Sequence, residues 1–97
     1  MDRVEHLLTC LAEEAAEVVQ ATTKALRFGL ESSHPGYESG RTNREHIHKE
    51  LTDLISIVEL LEDEGALRHV LEAEPMREKK ERVSRFMEHA KRNGCLQ

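Results

Sequence analysis

The sequence predicts an all-α fold, a helical bundle built on a long antiparallel helix hairpin and completed by oligomerisation. Three observations carry that expectation. Apolar residues recur with helical period along two long stretches, no stretch alternates as a β-strand does, and Gly29, Gly65 and Gly94 stand where the periodic stretches stop. A chain of 97 residues with two Phe, one Tyr and no Trp buries only a modest core by itself, so a homodimer or homotetramer is expected. The whole chain, 1–97, reads as one domain with a loop over about 29–41.

The first helix is predicted from residue 3 to 26 or 28. Asp2 followed by Glu5 has the form of a capping box, and Val4, Leu7, Leu8, Leu11, Ala15, Val18, Val19, Thr22 and Leu26 repeat on one side. Gly29 is the expected stop, after which residues 31–40 have turn composition. Thr42 with Glu45 is a second capping-box signature, and Ile47, Leu51, Leu54, Ile55, Val58 and Leu61 carry the next stripe as far as Gly65. A short third helix is predicted over 66–73. A last one is predicted to open after Pro75 and run from 76 to about 92, with Met76, Val83, Phe86, Met87 and Ala90 along a narrow seam.

Charge and composition exclude several function classes. A net charge of −5, with bases interspersed among acids, lacks the basic stripe that duplex binding requires, so no nucleic-acid partner is expected. No apolar run approaches a membrane span, and residues 1–6 lack the basic-then-apolar order of a signal peptide. The expected location is the cytoplasm. Cys10 and Cys95 lie far apart without CxxC spacing, which points to reduced thiols. The six histidines form no zinc spacing and are expected as surface or capping residues.

The most informative residues are acidic. Glu14 and Glu17 are three apart, as are Glu50 and Asp53, so each pair occupies successive turns of one helix. All four fall beside the apolar stripes rather than opposite them, at positions where a residue can be half-buried in a helix–helix seam. Like charges so placed repel, and a divalent cation between the helices resolves the conflict. Hard oxygen ligands suit Mg²⁺, which in turn holds phosphate oxygens.

The motifs Glu13-Glu14-Ala15-Ala16-Glu17 and Glu50-Leu51-Thr52-Asp53, with Leu11-Ala12 and Val18-Val19 around the first and Leu54-Ile55 after the second, match an EExxE and ExxD pattern. In this the chain resembles the all-α nucleoside triphosphate pyrophosphohydrolase superfamily, the MazG-like group related to dimeric dUTPases and phosphoribosyl-ATP pyrophosphohydrolase. The resemblance covers residues 7–61. The interval from Val18 to Lys49 is longer than in compact members of that group.

The resemblance implies a Mg²⁺-dependent enzyme, with Mn²⁺ able to substitute, that cleaves nucleoside triphosphates to monophosphate and pyrophosphate. It implies Glu14, Glu17, Glu50 and Asp53 as metal ligands. Glu13 is the first candidate to orient the attacking water, with Glu14 or Glu17 as alternatives. Lys24, two helical turns beyond Glu17, is a candidate for the outer phosphates, as are Arg27, Arg41, Asn43 and Arg44, the last three at a helix start where free N–H groups favour an anion. Phe28 and Tyr37 are candidates to stack on a base. Two other readings stand beside this one. Glu45-x-x-His48 and Glu31-x-x-His34 have the spacing of a di-iron carboxylate bundle, and the charged last helix suits a non-catalytic nucleotide-binding or protein-interaction module.

Overall fold

A computed structural model describes residues 1–33 and 40–97. The readings placed on Tyr37 and on Glu31-x-x-His34 fall wholly or partly outside the described residues. The described chain is all-helical, with α1 at Arg3–Phe28, α2 at Asn43–Asp63 and α3 at Ala73–Arg92.

Each helix start follows from its cap. The Asp2 carboxylate accepts from Glu5 N–H at 2.8 Å, satisfying one of the donors left over in the first turn of α1. At α2 the box is complete. Thr42 Oγ1 accepts from Glu45 N–H, and Glu45 Oε1 accepts from Thr42 N–H at 3.0 Å. Those bonds hold the Glu45 carboxyl below its ordinary pKa. α1 ends at Gly29, whose φ of 94° suits a residue without Cβ, and Gly29 N–H donates to Ala25 O.

α1 and α2 pack antiparallel. Arg3 pairs with Glu64 at one end, and at the other Asn43, fully buried, donates from Nδ2 to Gly29 O at 2.8 Å. Asn43 N–H and Arg44 N–H donate to Ser32 O and Leu30 O, so the start of α2 is tied to the residues that follow α1. Between these ends the core is thin. Leu7, Ala21, Ala25 and Leu61 are its only buried apolar side chains among the described residues, with Val4, Leu11, Val18, Leu54, Ile57 and Val58 half-buried beside them.

The structure divides each predicted stripe in two. On α1, Leu7, Leu11 and Val18 turn inward while Leu8, Val19 and Leu26 stay exposed; on α2, Leu54, Val58 and Leu61 turn inward while Leu51 and Ile55 stay exposed. A helix packed on one neighbour hides only the side that meets it.

Two expectations about the C-terminal third are corrected. Residues 66–73 do not form a helix: Ala66 and Leu67 N–H donate back to Leu61 O, and Val70 N–H donates to Glu62 Oε2 at 2.8 Å, which spends the donors in closing α2. α3 begins at Ala73, with Pro75 inside its first turn, where no helical N–H bond is lost. Nor does the narrow seam expected along the last helix meet another helix of the same chain. α3 packs against neither α1 nor α2 and has no buried residue. Arg77, paired with Glu74 and Glu81, braces its solvent face. No helix among the described residues is long and apolar enough to cross a membrane.

Candidate metal centre

Antiparallel packing sets the middle of α1 against the middle of α2. Glu14 on α1 meets Glu50 and Asp53 on α2, each offering a carboxylate oxygen, and the three oxygens lie within 4.8 Å of one another. Glu50 is 8% exposed, and its Oε2 has no hydrogen-bond partner. A buried carboxylate oxygen left without a donor is costly unless a cation or water meets it. Glu14 is half-buried, and its carboxyl is held above the ordinary range, first by burial and then by the charges of Asp53, Glu17 and Glu50. Repulsion among these acids is therefore felt within the fold.

Lys49 offsets part of it. Its Nζ lies 2.6 Å from Asp53 Oδ2 and 3.8 Å from Glu50 Oε1, and these two partners hold its pKa above the ordinary lysine value. Lys49 also lines a groove of about 450 Å³ with Arg41, Arg44, Glu45 and His48. A cationic groove thus adjoins the three carboxylates, with one lysine shared between them.

The other residues singled out by sequence divide into several groups. Glu17 is exposed one turn beyond Glu14 and acts on it by charge, but stands outside the group of three. Glu13 is exposed. Lys24 is half-buried near enough to His46 to influence its charge. Arg27 sits at the end of α1 with its guanidinium 5.1 Å from the Phe28 ring centroid. Arg44 is paired with Glu31 at the groove edge. Asn43 does not line the groove, because its side chain closes the loop after α1. Of the di-iron spacing, the pair among the described residues is separate from this group: Glu45 is engaged in the α2 cap, and neither it nor His48 joins the three carboxylates.

His46 corrects the expectation that the histidines are surface or capping residues. It is half-buried, and its pKa is lowered first by burial and then by the charge of Arg41, against the opposing pull of Glu50. The signal lay in register: residues 43, 46, 50, 53, 57 and 61 share one face of α2.

Three carboxylates from two rigid helices form an oxygen donor set suited to a hard divalent cation that keeps part of its water shell. Compared with known proteins, the chain matches no family model, no curated protein and no solved structure.

Proposed function

We propose that this chain is a Mg²⁺-dependent nucleoside triphosphate pyrophosphohydrolase, which adds water at the α-phosphorus and releases pyrophosphate and a nucleoside monophosphate. The observation that carries the reading is the meeting of Glu14, Glu50 and Asp53 from opposed helices, with Glu50 Oε2 buried and lacking a donor. The EExxE and ExxD motifs supply the same residues independently of the fold.

Glu14, Glu50 and Asp53 would hold Mg²⁺ or Mn²⁺, with Glu17 one turn away as the fourth ligand. Bound there, the ion supplies charge neutralisation and orientation for the triphosphate. The remaining work falls to the chain. Arg41, Arg44 and Lys49 bind the phosphate oxygens from the adjacent groove, and Lys24 serves the same purpose from α1. Glu13 accepts the proton of the attacking water as the α–β anhydride bond breaks, and pyrophosphate departs with the bonding electron pair. The enzyme works as a homodimer or homotetramer in the cytoplasm, a setting consistent with two free cysteines.

The test is orthophosphate release from a panel of standard and modified triphosphates, with and without a coupling pyrophosphatase. Signal that requires both Mg²⁺ and the coupling enzyme is the expected result. No turnover of any nucleotide with Mg²⁺ or Mn²⁺ overturns the reading in favour of a non-catalytic module.

A further inference from the structure

The α1–α2 hairpin carries two apolar faces, and the fold uses one. Leu7, Leu11, Val18, Ala21 and Ala25 line the seam. Roughly 100° round each helix from its seam stripe lies a second stripe, Leu8, Val19 and Leu26 on α1 and Leu51 and Ile55 on α2. All five are exposed, Val19 at 64% and Leu26 at 84%. Because the helices are antiparallel, an equal rotation from the seam brings both outer stripes to the same side of the hairpin. Glu17 and Asp53 are rotated the opposite way, so this apolar side is not the side of the carboxylates.

α3 has the matching need. Met76, Val83, Phe86 and Met87 form an exposed stripe, Phe86 at 65%, on a helix that touches neither of the other two. Its 20 residues span about 30 Å, close to the length of α2. The two segments also carry opposite net charge. Residues 1–65 contain fourteen acids and six bases, for −8, whereas residues 66–97 contain eight bases and five acids, for +3. Four buried apolar side chains, two of them alanine, give an uncovered hairpin only a thin core.

We propose that α3 of one copy docks on the outer apolar face of the hairpin of a second copy, and reciprocally, in a two-fold dimer. The connector favours exchange over return. Ala66, Leu67 and Val70 are hydrogen-bonded to the end of α2, and α3 leaves without touching its own hairpin. A fold this thin needs a partner that is always present, and a second copy meets both needs at once: each α3 covers one hairpin and has its own stripe covered. The apolar contact supplies the affinity, and the opposite net charges of the two segments favour their encounter.

The experiment uses the full chain, half of it ¹⁵N-labelled and half unlabelled, mixed by reversible unfolding, with a benzoylphenylalanine photo-cross-linker at position 86. A second preparation carries the probe at position 87, in case the first fails to fold by circular dichroism. Sedimentation is expected to give a dimer or an even multiple. Cross-links are expected between labelled and unlabelled copies, from α3 to α1 between residues 8 and 26 or to α2 between 51 and 58. A monomer, links confined to one copy, or links from α3 to α3 would each overturn the proposal. Phe86→Glu is expected to weaken self-association at least about tenfold, and association unchanged in Phe86→Glu would also overturn it.

Discussion

The α1–α2 hairpin and α3 are built from the same kind of sequence, charged helices with an apolar stripe, yet they end in different situations. The hairpin buries Leu7 and Leu61 and brings three carboxylates together. α3 buries nothing and carries a net positive charge within a chain that is −5 as a whole. An apolar stripe states that a helix needs cover and leaves open what supplies it. In the hairpin the Thr42–Glu45 cap and the Asn43 clamp fix the neighbour locally. After α2, backbone N–H hydrogen bonds to Leu61 O and the Glu62 carboxylate direct the chain elsewhere.

The difference between the two regions can be tested from either side. The largest expected effect is on the hairpin. Asp53→Asn removes an oxygen charge from the metal centre and is expected to lower Mg²⁺-dependent turnover by about 100-fold or more, with helical content by circular dichroism unchanged. Glu17→Gln losing as much would make Glu17 the fourth ligand, and full activity in Asp53→Asn would contradict the ligand set.

Next comes a pair of truncations measured by thermal unfolding. Leu61→Ala opens a cavity at a fully buried apolar side chain and is expected to cost about 2–5 kcal/mol. Phe86→Ala removes a larger side chain from an exposed position. It is expected to cost under about 0.5 kcal/mol in dilute, dissociated protein, and more as rising concentration favours the exchanged dimer. Equal costs at every concentration would erase the distinction between the two regions.

Lys49→Met sharpens the account of the carboxylate group. Lys49 competes with any divalent cation for Asp53 and Glu50. Because the lysine is partly exposed, solvent limits the gain to roughly threefold to tenfold tighter Mn²⁺ binding, read by electron paramagnetic resonance titration without nucleotide. Weaker binding in the variant would make Lys49 a support of the site and not a rival to the ion.

The smallest effect concerns pH. The folded pKa of Glu14 lies above 4.5, so folding takes up its proton more readily than the unfolded chain does. Its contribution to stability is greatest below 4.5 and declines as pH rises through the folded value. At neutral pH without metal, ionised Glu14 opposes folding. Glu14→Gln is therefore expected to raise the melting temperature slightly in chelator and to lose that advantage when Mg²⁺ is added, both read by scanning calorimetry. A lower melting temperature in chelator would mean that packing of Glu14 outweighs repulsion.

Much of the hairpin was legible in the residues. Caps and glycine stops are local, so Asp2, the Thr42–Glu45 pair and Gly29 mark helix limits that the structure reproduces. The spacing of Glu50 and Asp53 put both on one face, and antiparallel packing brought Glu14 to them. Lys49 and His46 were harder to read. Their importance depends on what lies across the seam, and period alone assigns a residue to a side without naming its neighbour. Asn43 reads as a phosphate contact at a helix start until its amide is seen closing the loop beneath Gly29.

The sequence by itself determined the helical class, the limits of α1 and α2, and the acid pairs on successive turns, because each rests on interactions within about four residues. Only the tertiary structure decided which half of each stripe is hidden, that 66–73 closes α2 in place of forming a helix, and that α3 stands apart from its own hairpin. Those outcomes depend on contacts between residues distant in the chain, where burial, charge and hydrogen-bond demand are settled together.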